Sequence, residues 1–472
     1  MKERAGLVAG SLAGGGKGGR TSIRRGRSSP PFPAAELRLR LRDGVLRNVA
    51  GFCRLTLRRA ALPAGTGLLL VMHLGAQELT RSGEIQQQRA LKADNLAPDE
   101  PNKVENAMRA FKEGKYLERY GAGWHGFRLK LGNMVTGSGF AVGPEYRRDD
   151  LLDGALRFRA SAQLSTRLYQ KYQTSLTLPK IAGGRLNAEF RSANRNYRSL
   201  QYYGTGASRP KDLRTNYRLE DTAFEGMLSA RTVSRLIIGG FAGYLFTNVG
   251  PGADSRFASA ETVFPNDPGM RQQTNFLRDG VFAQWDYRDN PLGPKHGGNY
   301  VMQYTWYRDN RFDAYGFRRL DIDLQQYIGF LNRSRVIALR AKTTLTDTDG
   351  TQQVPFYLQP MLGGSDDLRG FRNFRFSDRN SLVFNAEYRW EIFSGLDGAI
   401  FGDAGKVFAR RGELNFRDLE SSVGFGLRFN ARNSTFLRFD VGFSHEGFQV
   451  WVKFNDAFQS RRFGVGNGQP VY

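Results

Sequence analysis

The chain has 472 residues, enough for two or three soluble domains or for one large barrel. With 40% hydrophobic residues and a mean hydropathy of −0.49, it holds no bundle of membrane helices. Four His and one Cys exclude a metal cluster, an intrachain disulfide and a Cys/His pair, whereas 56 Gly, 35 Phe and 19 Tyr suit strands, turns and aromatic girdles. The net charge of +24 first suggests nucleic acid, yet residues 1–76 alone hold 14 Lys/Arg against 3 Asp/Glu. The remaining basic residues are scattered through alternating segments. A basic lumen with basic rims is the reading, with no nucleic-acid partner.

Residues 1–53 are rich in Gly, Ser, Arg and Pro without useful periodicity, and read as a disordered tail or the product of an upstream start codon. Arg54, Arg58 and Arg59 then precede an apolar stretch with Leu68, Leu69, Leu70, Val71 and Met72. A basic head, a short oily middle and Ala76 before Gln77 fit a secretory signal peptide over 54–76. Residues 77–120 form a periplasmic lead-in. Val104, Ala107, Met108 and Phe111 predict one short helix over 103–116, placed to plug or cover a barrel mouth.

From Gly121 the period becomes two. In the stretch 382–392, Leu382, Phe384, Ala386, Tyr388, Trp390 and Ile392 share one face, opposite Val383, Asn385, Glu387, Arg389 and Glu391. Leu437, Phe439, Val441 and Phe443 oppose Arg438, Asp440 and Ser444 in the same way. A soluble sandwich also alternates. Here the polar face carries both charge signs on strand after strand, and the segments exceed the globular length of roughly 5–6 residues. Lipid outside and water inside satisfy both facts, and only a closed barrel leaves no unpaired backbone in hydrocarbon.

Sixteen such segments run from 121–131 and 134–147 through to 447–458, an even number. Counted from the periplasm, the long connections 196–213, 248–273 and 348–378 follow odd strands, and the short ones 232–234, 393–395 and 431–433 follow even strands. Long external loops and short periplasmic turns are the expected asymmetry. The predicted fold is an all-β, 16-stranded antiparallel transmembrane barrel over 121–458, with an in-folded sixth extracellular loop. A tail, 459–472, follows.

One loop looks like chemistry. Gly363, Gly364 and Gly370 surround Leu368, Arg369 and Phe371, and about thirty residues later Phe401, Asp403 and Gly405 share one face of a strand. Asp403 is costly against lipid, and Arg369 offers five donors in a fork that matches a carboxylate. The expectation is a loop folded into the lumen and pinned by an Arg369–Asp403 ion pair, with Glu387 as a second partner. The stretch 347–350 begins like a calcium loop, but its twelfth position is Leu358 rather than an acid. No positioned histidine supports a catalytic triad, and neither a metal nor a cofactor is expected.

These residues resemble a known family. Leu368-Arg369-Gly370-Phe371 is similar to the sixth-loop motif of the BamA/TamA superfamily of outer-membrane barrels, in its bacterial surface antigen C-terminal domain. Phe401-Gly402-Asp403-Ala404-Gly405 is similar to the motif on its thirteenth strand, and residues 286–291 resemble its D-x-R-D-x-P turn. The ending at Phe454 and Phe458 resembles the aromatic signal of the barrel-closing strand. The resemblance implies a loop–lumen lock through Arg369, Gly370, Phe371, Asp403 and Glu387. It also implies a bacterial outer-membrane protein that assembles or translocates other proteins, with the first and last strands parting to admit a client. Between the signal and the barrel there is no room for the periplasmic POTRA modules of the best-known members. The competing expectations are a passive or gated pore for small solutes, and a structural surface protein. The implied partners are outer-membrane lipid, lipopolysaccharide, client outer-membrane proteins and a separate periplasmic partner.

Overall fold

Strands that alternate oily and charged side chains must separate the two faces, and the computed structural model does so with the charges inside. It describes residues 124–458 except 133, 234, 432, 433 and 455, together with the single residues 86 and 106. The expected leader, signal and C-terminal tail lie outside the described residues, as does the lead-in helix apart from residue 106.

Sixteen strands form one antiparallel sheet in chain order. They are β1 (Phe127–Gly132), β2 (Ala141–Leu151), β3 (Leu156–Ser165), β4 (Gln170–Ile181), β5 (Leu186–Tyr202), β6 (Thr215–Val233), β7 (Leu236–Pro251) and β8 (Thr274–Asp286). Then come β9 (Gly297–Asp309), β10 (Phe317–Phe330), β11 (Arg335–Asp347), β14 (Asn380–Phe393), β15 (Leu396–Phe408), β16 (Glu420–Ala431), β17 (Ser434–Ser444) and β18 (Gly447–Lys453). Two short strands, β12 (Met361–Leu362) and β13 (Phe376–Ser377), pair as a ribbon inside the connection from β11 to β14. That connection is the sixth at its end of the sheet, and β15 is the thirteenth strand of the large sheet.

The two faces settle which side is wet. Val423, Phe425 and Val450 are each more than half exposed, whereas Arg428 and Arg438 are no more than 1% exposed. A water-soluble sheet would bury the first set and solvate the second, so the oily face is the lipid face. Long connections gather at one end, and turns such as 152–155, 331–334 and 394–395 close the other. The one longer turn at that end, 287–296, is the expected D-x-R-D-x-P segment. Arg288 donates to both oxygens of Asp286, and Asp289 Oδ1 accepts from the amides of Asn290, Lys295 and His296.

Several boundaries differ from the sequence reading. The fifth strand runs on to Tyr202 rather than 195, so 196–202 belong to the wall and not to the expected loop 196–213. The first strand starts at Phe127 rather than 121, and the second at Ala141 rather than 134. Met134 and Val135 leave the sheet and are buried among residues from other connections. Burial of two apolar side chains outweighs continued pairing there. The last strand stops at Lys453 rather than 458, because Asp456, Ala457 and Phe458 turn away and are buried. The long-loop end is filled by an aromatic cluster, in which the Phe356 ring lies 4.8 Å from that of Tyr202 and 4.9 Å from that of Tyr217.

Candidate functional site

The connection between β11 and β14 runs back into the lumen, and Arg369 is its deepest charge, 2% exposed. Its Nη2 donates to Asp403 Oδ1 at 2.7 Å, its Nε to Oδ2 at 2.9 Å, and its backbone amide to Oδ2 at 3.1 Å. Its Nη1 donates to Glu387 Oε2 at 2.7 Å. The guanidinium carbon sits 3.4 Å from the centre of the Phe401 ring, whose face favours a cation. Period-two alternation supplies all three partners, because Phe401 and Asp403 point inward from β15 and Glu387 from β14.

Gly370 and Gly442 fix how close the loop can come. A β-carbon on Gly370 would meet the Phe443 backbone at 2.7 Å, and one on Gly442 would meet the Arg369 carbonyl oxygen at 2.4 Å. Two backbones therefore touch with nothing between them, which only glycine permits. The loop carbonyls are also satisfied by the wall. Trp451 Nε1 donates to the Arg369 oxygen at 2.7 Å, and Ser444 Oγ to the Gly370 oxygen at 2.8 Å. Phe371 is fully buried with Leu362, Leu368, Phe376, Val383 and Val407.

Sequence reasoning missed the size of the charge network. Glu387 Oε1 also accepts from Arg389 Nε at 2.8 Å and lies 2.9 Å from Arg428 Nη2. Arg428 Nη1 in turn lies 2.6 Å from Asp440, which Arg438 approaches at 3.1 Å. One carboxylate thus serves three guanidinium groups. The signal was present: Arg389, Arg428, Arg438 and Asp440 all occupy the polar face of their strands.

The second element is the seam. Among the described residues no ladder joins β1 to β18, so the sheet keeps two edges. Phe454 lies just past β18, with its ring 5.3 Å from Phe140 before β2 and 6.0 Å from Phe436 on β17. Phe458 leaves the wall and packs inside with Tyr327, Val336 and Ala338. The two terminal aromatics therefore occupy different surroundings. Phe454 spans the seam by side-chain contact, and Phe458 fills the lumen.

The Omp85 superfamily domain matches residues 151–467. No curated protein matches the sequence. Among solved structures, BamA from Haemophilus ducreyi lacking POTRA domains 1–3 is similar at a TM-score of 0.53 and 14% identity, over 70% of this chain and 69% of that one. CdiB from Acinetobacter baumannii gives 0.44 and 12%, over 69% of this chain and 58% of that chain. CdiB from Escherichia coli gives 0.47 and 13%, over 69% and 61%. The structural likeness to BamA agrees with the barrel fold built above. The match across two thirds of the sequence shows that the chain belongs to the Omp85 superfamily and is an outer-membrane β-barrel.

Proposed function

We propose that this barrel assembles or translocates other outer-membrane proteins, taking up a client strand at the seam between β1 and β18. The observation that carries the proposal is that, among the described residues, no ladder pairs β1 with β18, while Phe140 before β2 meets Phe454 just past β18. Unpaired N–H and C=O groups are expensive in hydrocarbon and are a ready template for an added strand. Aromatic side-chain contact closes such a seam at far smaller cost to reopen than a row of hydrogen bonds.

The loop lock has a part in this reading. Trp451 on β18 donates to the Arg369 carbonyl, so the loop braces the last strand while the lumen network braces the loop. Residues 54–76 would direct export, and the client would be another outer-membrane protein delivered by a separate periplasmic partner. A passive solute pore is less well supported, because the buried loop and the aromatic cluster occupy the lumen at the long-loop end.

The test is photocrosslinking in intact cells. A photoreactive residue replacing Leu129 on β1 or Val450 on β18 should capture newly made barrel proteins. The same residue at Phe425, away from the seam, should not. Equal capture at all three positions would reject the seam as the client site.

A further inference from the structure

Outside the lumen, at the long-loop end of β4 to β8, lies a depression of about 500 Å³ that the assembly reading does not use. Its floor is two cross-strand rows set by sheet register. Gln170, Asn196, Glu220 and Asn248 form one row, and Asn194, Thr222, Phe246 and Asn275 form the next. All point away from the lumen, since Arg195, Asp221 and Thr247, between them in sequence, are the buried inward set.

The rows are already ordered. Asn196 and Asn248 both donate to Glu220 at 3.0 Å, and Asn194 donates to Thr222 at 2.8 Å. Asn196 Oδ1 is screened from solvent and accepts no hydrogen bond among the described residues. Towards the middle of the barrel the outward face becomes aromatic, with Phe190, Phe224 and Tyr244 all more than 40% exposed. Such a belt marks the level where hydrocarbon gives way to headgroups. The amide rows therefore begin at headgroup height.

We infer that this depression binds the uncharged sugar residues of an outer-leaflet glycolipid. Carboxamides pair a donor and an acceptor at fixed spacing, matching vicinal hydroxyl groups, and the outward Phe246 ring offers an apolar face to sugar C–H groups. The cations around the depression are already engaged, which disfavours a phosphate. Arg195 is held by Asp221 at 2.6 Å, Arg218 lies 3.6 Å from Glu220, and Arg311 at the rim donates to Gln273. A glycolipid is preferred to a free sugar because the aromatic belt directly below offers its acyl chains a surface.

The test uses the full-length protein in detergent, titrated with rough-type lipopolysaccharide, with lipid A alone and with the deacylated core saccharide, and read by native mass spectrometry. Rough lipopolysaccharide should bind at least tenfold more tightly than either fragment. The combined variant Asn194→Leu, Asn196→Leu and Asn248→Leu should remove most of that preference. Thr222→Trp, which fills the depression and keeps every amide, should do the same, and heat-modifiable gel migration would show that both variants fold. Lipid A binding as tightly as rough lipopolysaccharide would overturn the assignment to uncharged sugars, since its own two sugars carry the phosphates. Core saccharide binding as tightly would overturn the glycolipid assignment. Undiminished binding by both variants would overturn the site.

Discussion

Arg389 holds Asp456 at 2.9 Å through Nη1 while its Nε donates to Glu387. Since Glu387 also takes Arg369, one chain of alternating charges runs from the sixth loop to the residues just past the last strand. Phe458 closes this connection by packing in the same pocket, its ring 6.4 Å from Tyr327. The loop lock and the chain segment next to the seam are thus parts of one network.

Phe458→Ala should loosen that segment. Removing a buried phenyl ring costs about 3–5 kcal/mol where the pocket stays empty. The temperature at which the barrel loses its folded gel migration should fall. Asp456→Lys should act similarly, by placing a like charge on Arg389. Unchanged migration in both would show that the segment is merely parked in the lumen.

Breaking the lock should be severe. Arg369→Glu sets a third carboxylate beside Asp403 and Glu387, and losing one partner of a buried pair costs about 3–5 kcal/mol. Adding Asp403→Arg should restore part of the heat resistance. Full restoration is not expected, because Glu387 would then face Glu at position 369. No rescue at all would argue against this pairing.

Backbone contact predicts a different sensitivity. Gly442→Ala should push the loop off the wall, whereas Gly402→Ala, whose added carbon meets nothing within 4 Å, should be silent. Trypsin added to intact cells should then cleave after Arg369, Arg372 or Arg375 in the first variant only. Equal protection of both would mean that the loop is held elsewhere.

Lumen occupancy is open to direct measurement. Deleting 363–376 should raise conductance in a planar bilayer several-fold over the intact protein. An intact barrel that already conducts as widely would favour the solute-pore reading.

Much of this was legible in the residues. Alternation at 382–392 and 437–444 gave the wall, and charge on one face fixed the wet side. Arg369, Asp403 and Glu387 could be paired because a buried charge needs a partner and few were available. What stayed hidden depends on where strands stop. Met134 and Val135 fit a strand period but are drawn inward by apolar burial, and Phe458 fits the last strand but is drawn inward by Tyr327 and Arg389. A period of two cannot tell a lipid-facing side chain from one that folds under the wall. For Glu387, the inward face of Arg389 and Arg428 was legible in the alternation, but which arginines reach it was not, because strand register across β14 to β16 decides that.

Uptake of a client requires the seam to part. Phe140→Cys with Phe454→Cys, in a Cys53→Ser background, replaces the two rings, whose centres lie 5.3 Å apart, with thiols. Oxidised protein should lose client crosslinks from Leu129, and a reducing agent should restore them. Complete disulfide formation with undiminished crosslinking would contradict the account.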